Sequence, residues 1–418
     1  MEEKSFDIGI IGGGPAGYTA AINAGKKGLK TVLFEKNEIG GTCLNRGCIP
    51  TKAIMHSALL FKELKNSHDI GINTENISFD WTKIIERKDN IILKLRKMLE
   101  LSIKNSGATI INSEAQILDK ETIKDSYNNI YHCKKIILAT GSEPKQVKGL
   151  EFDGDKILSS DDILRLDKLP KSIVIIGSGA IGIEWCRILS ALDVDVKLIE
   201  MADHLLPAAD IEVSKRIERI FKSEKINFYL NNSIDHIDKR PNNIFIRLKS
   251  GEDISADKIL VAVGRSVVNQ PHVDNVVTIG DAFGSIQLAH FASKQALEEI
   301  CNIKFDRKFV PFVVYGTPEI AWVGLREQDL TPGSYQKILL PISAIGKSHC
   351  DNALDGFIKI LKNDDCILGV HIISKEASSL VMQMSIAMQN DIGISKLKEI
   401  CFPHPTYSEG LFESIMNL

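Results

Sequence analysis

The sequence contains no run of the eighteen or so consecutive apolar residues that a membrane-crossing helix requires. It also lacks any block of like charge. Its 51 Lys and Arg are set against 54 Asp and Glu, a formal net charge of −3, so nucleic acid or an anionic membrane finds nothing to attract it. The stretch Met1 to Asp7 is acidic and has neither the basic start nor the apolar core of a secretory signal, which gives the expectation of a soluble, cytoplasmic protein. Cysteine is scarce as well. Eight in 418 residues are too few for a secreted disulfide scaffold, and those at 133, 186, 301, 350, 366 and 401 stand singly. Small molecules and protein surfaces are left as expected partners.

What is present is ordinary in bulk and specific in detail. Apolar residues make up 44% and charged residues 25%, near the average for soluble domains, and the length exceeds what one core organises, so two or three domains are expected. One motif occurs twice. The apolar stretch Asp7 to Ile11 runs into Gly12-Gly13-Gly14-Pro15-Ala16-Gly17, and Ile173 to Ile176 runs into Gly177-Ser178-Gly179-Ala180-Ile181-Gly182. Each precedes a helical stretch and then a second strand, Lys30 to Phe34 or Asp195 to Ile199, with Glu35 and Glu200 each 23 positions beyond the first glycine.

Three fixed glycines arise by accident roughly 0.1 times in a chain of this length, so one match is weak and two in matching contexts are not. The first glycine permits a tight turn, the second lets backbone approach a pyrophosphate, and the third allows close packing of helix on strand. The helix N-terminus offers free N–H groups to phosphate, and the glutamate accepts from ribose hydroxyls. Glu200 repels a 2′-phosphate and no arginine lies between 201 and 206 to welcome one, so a dinucleotide at the second fingerprint is expected to lack that phosphate.

The remaining cysteines, Cys43 and Cys48, sit in Gly40-Gly41-Thr42-Cys43-Leu44-Asn45-Arg46-Gly47-Cys48-Ile49-Pro50-Thr51-Lys52, just after the first glutamate. Four intervening residues put the sulfurs about one helical turn apart, and Gly47 gives the backbone room to meet disulfide geometry. Lys52 favours a thiolate, the form that attacks disulfides. A zinc site using His56 is the rival reading, but no second cysteine pair accompanies it. A redox disulfide also needs a base. His404, with Glu409 to fix its tautomer, is the best candidate. Elsewhere, Ile91, Leu95, Met98 and Leu99 fall at helical spacing and read as a core face, and residues beyond about 305 change to shorter strands and helices without a nucleotide fingerprint.

Taken together these residues resemble the pyridine nucleotide disulfide oxidoreductases, from Asp7 to Glu409, with Leu44, Ile49 and Thr51 closer to the lipoamide branch than to the glutathione branch. The resemblance implies an α/β chain of two Rossmann-like dinucleotide-binding domains plus a C-terminal α+β dimerisation domain. The expected division is 1–142 for the first part of the FAD-binding domain, 143–264 for the NAD-binding domain, 265–304 for the second FAD part, and 305–418 for the interface. It implies that Gly12, Gly14, Gly17 and Glu35 hold the adenosine end of FAD, with Thr42, Lys52, Thr140, Gly141, Ser142, Gly280, Asp281 and Ala289 along the rest of that cofactor. Gly177, Gly179, Gly182, Glu200 and Gly264 would take NAD. Lys52 and Glu184 would form an ion pair beside the flavin.

The implied activity is FAD-dependent oxidation of dihydrolipoamide, carried on lipoyl domains of a 2-oxo acid dehydrogenase or glycine cleavage complex, with reduction of NAD. Cys43 would exchange with the substrate sulfur, Cys48 would be the charge-transfer thiolate, and His404 with Glu409 would move the proton within a homodimer, reaching the other subunit's disulfide. Two departures stand out: only fifteen residues separate Gly264 from Gly280, fewer than the family carries, and Ser379 replaces an expected glutamate. A relative acting on another disulfide such as glutathione, or a shortened FAD-binding protein with weak turnover, remain as alternatives.

Overall fold

A computed structural model describes residues 4–268 and 273–418. Part of the short segment between Gly264 and Gly280 therefore lies outside the described residues. The first unit comprises β1 (Lys4–Ile11), α1 (Pro15–Lys26), β2 (Thr31–Glu35), α2 (Gly41–Arg46), α3 (Cys48–Lys65), α4 (Trp81–Asn105), β3 (Thr109–Asn112), β4 (Ala115–Asp119), β5 (Thr122–Asp125) and β6 (Ile130–Leu138). Its sheet runs β3-β2-β1-β6-β5-β4, with β1, β2, β3 and β6 parallel. The strands of this parallel part are apolar because both faces are covered; Ile10, Leu33 and Ile137 are fully buried.

A short strand, β7 (Ser142–Pro144), leads to the second unit, made of β8 (Ile157–Leu158), β9 (Ser172–Ile176), α5 (Ala180–Ala191), β10 (Asp195–Ile199), α6 (Ile211–Ser223), β11 (Asn227–Tyr229), β12 (Ile234–Lys239), β13 (Ile244–Leu248), β14 (Asp253–Ala256) and β15 (Lys258–Val261). Strands β11-β10-β9-β15-β8 form a parallel sheet, and β12-β13-β14 an antiparallel one. The chain then returns through β16 (Arg265–Val267), which pairs antiparallel with β7, and β17 (Val277–Thr278), which joins β6 in the first sheet. Helix α7 (Ala289–Cys301) follows and packs on α1, where Thr19 Oγ1 donates to Ser293 Oγ at 3.2 Å.

The last unit contains β18 (Phe312–Val314), β19 (Glu319–Gly324), β20 (Gln336–Pro341), α8 (Gly346–Cys350), β21 (Phe357–Asn363), β22 (Cys366–Ser374), α9 (Ala377–Gln389), α10 (Ile394–Leu397) and α11 (Glu409–Met416). Its antiparallel sheet has the order β18-β19-β22-β21-β20. The two-fingerprint α/β architecture and the change of pattern beyond 305 thus agree with the sequence reading. One hydrophobic core joins Ile54 and Met55 of α3, Ile183 and Trp185 of α5, and Val314 and Trp322 of the last unit. That continuity brings a helix carrying Lys52 against a helix carrying Glu184.

The stripe Ile91, Leu95, Met98, Leu99 is not the core face of α4. Met98 is 63% and Leu95 36% exposed, while the helix buries Trp81, Ile84, Lys88, Ile92 and Ile103. The packed side includes a lysine because Lys88 Nζ donates to Leu164 O at 2.9 Å and pairs with the Asp89 carboxylate at 2.8 Å, so the buried ammonium has both a hydrogen-bond acceptor and a counter-charge. A hydrophobicity pattern has no means of placing that residue inward.

Candidate active site

Both glycine loops are built to the same plan. Gly12 has φ +105, and a Cβ there would lie 2.2 Å from Ala139 O; a Cβ on Gly17 would lie 1.7 Å from Gly12 O, and one on Gly182 1.9 Å from Gly177 O. Only glycine permits these turns and this closeness of helix to strand. The glutamates latch the loops. Glu35 Oε2 accepts from Gly13 N at 2.7 Å and Oε1 from Asn37 N at 2.8 Å. Glu200 Oε2 accepts from Ser178 N at 2.8 Å and Ser178 Oγ at 2.7 Å, and Oε1 from Ala202 N at 2.8 Å.

Other glycines face open space. Nothing stands within 4 Å of a Cβ built on Gly141, Gly179 or Gly264, and the nearest atom to one on Gly14 is 3.8 Å away. Beside Gly141, the Thr140 hydroxyl is buried with no hydrogen-bond partner. Open glycines at these turns, with the unsatisfied Thr140 hydroxyl beside Gly141, fit a phosphate-bearing dinucleotide, whose oxygens accept from hydroxyl and backbone N–H.

Cys43 lies on α2 and Cys48 opens α3, so Gly47 separates two helices rather than interrupting one. A Cβ on Gly47 would stand 3.0 Å from Thr42 O, which explains the glycine. Pro50 sits in the first turn of α3, where its missing N–H costs nothing. Both cysteines are free thiols, Cys43 half-buried and Cys48 exposed, and they hydrogen-bond to each other. That contact splits their acidities. The Cys43 hydrogen bond, opposed by burial and helped by the charge of Lys52, brings the Cys48 thiol down to about 7. The same hydrogen bond, together with burial and the Cys48 charge, pushes Cys43 upward.

Lys52 Nζ meets Glu184 Oε1 at 2.8 Å and Oε2 at 2.6 Å, with the glutamate side chain only 7% exposed. Tyr315 completes this group. Its backbone N donates to Glu184 Oε1 at 3.1 Å, and its ring lies under Lys52 Nζ, 4.6 Å from the centroid.

A second set gathers at the β7–β16 junction. Ser142 Oγ donates to Asp281 Oδ2 at 2.6 Å, while Arg265 donates to Ser142 Oγ at 2.8 Å, Ser142 O at 2.7 Å and Thr42 Oγ1 at 3.4 Å. Asp161 lies between Arg46 at 3.4 Å and Arg265 at 3.9 Å. Gly280, at φ +68, donates its N–H to Gln295 Oε1 at 2.8 Å, and Ala289 opens α7. His404 Nδ1 and Glu409 Oε1 are 2.7 Å apart in the last unit, with the imidazole 77% exposed. Among the described residues no hydrogen bond joins this pair to the thiols of the same chain.

Sequence reading missed Arg265, Asp161, Tyr315 and Tyr18. Arg265 stands beside Gly264 at the end of an apolar strand, a position that could have singled it out. Tyr18 follows Gly17 directly; burial, and then the charges of Cys43 and Cys48, push its phenol upward. Asp161 and Tyr315 carry no local pattern.

Comparison with known proteins agrees with this geometry. Residues 6–272 match the pyridine nucleotide-disulphide oxidoreductase profile, and 310–415 match that family's dimerisation domain. The chain is 33% identical to a dihydrolipoyl dehydrogenase of Bacillus subtilis, covering 98% of this chain and 97% of that one. It is 34% identical to a dihydrolipoyl dehydrogenase of Chlamydia pneumoniae, covering 97% and 95%. Its fold is similar to the crystal structure of LpdA from Mycobacterium tuberculosis, with a TM-score of 0.90 at 20% identity over 99% of each chain. The chain belongs to the pyridine nucleotide-disulphide oxidoreductase family.

Proposed function

We propose that the protein is a dihydrolipoyl dehydrogenase, oxidising dihydrolipoyl groups to the cyclic disulfide and passing the electron pair through FAD to NAD. The observation that carries this reading is geometric: Cys43 on α2 and Cys48 at the start of α3 are brought together next to the Lys52–Glu184 ion pair, whose ammonium favours the Cys48 thiolate. The structure holds the pair in its reduced form; in the oxidised form, with Cys43 and Cys48 joined as a disulfide, a substrate thiolate attacks Cys43 Sγ, the Cys43–Cys48 bond breaks, and Cys48 departs as a thiolate. A low-pKa thiol is the better leaving group. The second substrate sulfur then attacks the mixed disulfide, releasing Cys43 and closing the substrate ring. Two electrons have moved from the dithiol to the enzyme pair, and His404, oriented by Glu409, takes the proton.

FAD, when bound, relays the electron pair from the thiols to the nicotinamide. Gly12, Gly14, Gly17, Glu35, Thr42, Thr140, Gly141, Ser142, Gly280, Asp281 and Ala289 are the residues we assign to it, and Arg265 joins them through Thr42 and Ser142. Lys52 and Glu184 supply the fixed charge beside the thiols. Gly177, Gly179, Gly182, Glu200 and Gly264 are assigned to NAD. The placing of the NAD-binding unit between two parts of the FAD-binding domain is supported by the chain leaving the first sheet after Leu138 and rejoining it at Val277.

The match of 310–415 to a dimerisation domain and the exposure of His404 support a homodimer in which this histidine serves the partner's thiols. Lipoyl domains of a 2-oxo acid dehydrogenase or glycine cleavage complex are the proposed partners. No described helix is long and apolar enough to cross a membrane. The deciding experiment is NAD reduction by dihydrolipoamide with the pure protein, run beside glutathione turnover; a preference for glutathione overturns the substrate assignment.

A further inference from the structure

A buried charge cluster lies away from the thiols, where the last unit meets the second. Asp210 is the N-cap of α6, and its Oδ1 accepts from Glu212 N at 2.9 Å. The same oxygen accepts from Lys359 Nζ of β21 at 2.7 Å, with both side chains fully buried. Asp210 Oδ2 accepts from Glu327 N at 2.9 Å, and the Glu327 side chain returns to Lys359 at 2.5 Å. Glu327 is itself held by Tyr335 at 2.7 Å and Lys337 at 2.5 Å. His371 lies against the same carboxylate, its Nε2 3.8 Å from Asp210 Oδ2 and 3.0 Å from Leu325 O, and its buried Nδ1 has no hydrogen-bond partner among the described residues. A buried set in which Asp210, Glu327 and Lys359 each meet an opposite charge fixes one geometry, because any sliding of the two units strands a charge.

The neighbours of Asp210 are gripped from the same side. Arg326 Nη1 donates to Pro207 O at 3.3 Å, Gln328 Nε2 donates to Ala209 O at 2.9 Å, and Gln328 Oε1 accepts from Ile211 N at 3.2 Å. The segment so held, 201–209, directly follows Glu200. Its near end is tied to the second glycine loop: Ala202 N donates to Glu200 at 2.8 Å, and Leu206 N donates to Ser178 Oγ at 3.1 Å. One stretch of nine residues therefore runs from the proposed NAD ribose acceptor to a charge cluster anchored in the C-terminal unit.

We propose that Asp210, Lys359, Glu327, Arg326 and Gln328 form a clamp through which the C-terminal unit positions the Glu200–Ser178 loop for NAD, making them positioning residues for nucleotide binding. The inference rests on the reading of the second fingerprint as the NAD site. It places the control of NAD affinity partly in a unit that contributes no residue to that fingerprint.

The test is calorimetric titration of NAD+ into the oxidised holoenzyme, for wild type, Lys359→Met and the surface double variant Arg326→Gln/Gln328→Ala. Lys359→Met is expected to weaken NAD+ about tenfold and the double variant about threefold, while flavin bleaching by dihydrolipoamide keeps its wild-type rate. A merely structural role would lower both half-reactions together. Should Lys359→Met not fold, the double variant decides. Unchanged NAD+ affinity in folded variants overturns the clamp; a wild-type holoenzyme that binds no NAD+ overturns the cofactor reading beneath it.

Discussion

Lys52 grips both carboxylate oxygens of Glu184, at 2.8 and 2.6 Å, across 132 positions of sequence. The pair acts on Cys48 with opposite signs, the ammonium lowering its pKa and the carboxylate raising it. Lys52→Met is therefore expected to move the Cys48 titration above about 7, and Glu184→Gln to move it below. Ultraviolet thiolate absorbance of the reduced protein across pH reads both shifts, and a shift of the same sign in the two variants would sink this account.

The same depression is a stability statement. Cys48 titrates lower in the folded protein than the ordinary value of 9.0, so its contribution is complete above 9 and lost as pH falls through about 7. Reduced wild type should gain thermal stability relative to Cys48→Ser over that interval. Equal pH profiles of melting temperature for the two proteins would contradict it.

Cys48→Ser and Cys43→Ser should both abolish dihydrolipoamide turnover but differ in colour. With Cys43 replaced, the Cys48 thiolate remains and the long-wavelength absorption of a thiolate beside oxidised flavin should persist at neutral pH. With Cys48 replaced it should vanish. Absorption spectra of the two holoproteins make the comparison, and a band surviving in Cys48→Ser would reassign the pair.

His404→Gln should retain bound flavin and lose about 10²- to 10⁴-fold in dithiol oxidation, the range of general acid–base catalysis. Glu409 should respond more mildly. His404 is the first contributor to its lowered pKa, with Thr406 N behind it; Glu409→Gln removes the negative charge and one of the two acceptor oxygens but leaves an amide oxygen to orient the imidazole. Steady-state rates with dihydrolipoamide test the order; wild-type turnover in His404→Gln would remove the proposed base.

Gly17→Ala and Gly14→Ala separate folding from cofactor binding. A methyl at 17 meets Gly12 O at 1.7 Å, so main chain must move, and the cost should exceed the ~1–3 kcal/mol usual for overpacking. A methyl at 14 meets nothing nearer than 3.8 Å, so the fold should survive within about 1 kcal/mol. It occupies the open mouth of the loop, however, and FAD retention should fall. Melting temperature and flavin-to-protein ratio distinguish the two outcomes.

Sequence patterns revealed what is local. The paired fingerprints stood out because a phosphate-binding turn compresses its requirements into six residues, and the cysteine segment because thiols five positions apart are rare by chance. Glu184 was legible only through family resemblance, since nothing near it in the chain indicates that a lysine 132 positions earlier will meet it. Arg265 and Tyr315 were missed for the same reason: their partners come from other units. Helix α4 was misread because Lys88 packs inward on a carbonyl while Met98 turns out. Amphipathic counting assigns both residues the wrong way round.

The carboxylates of Glu35 and Glu200 are already engaged by the N–H groups of their own glycine turns. Their rotamers are thus settled when the chain folds, and an arriving nucleotide need not freeze them. Immobilising a rotamer-rich side chain at the moment of association typically forfeits ~0.5–1.5 kcal/mol, a loss both pockets are spared. Rigidity acquired at birth becomes affinity later.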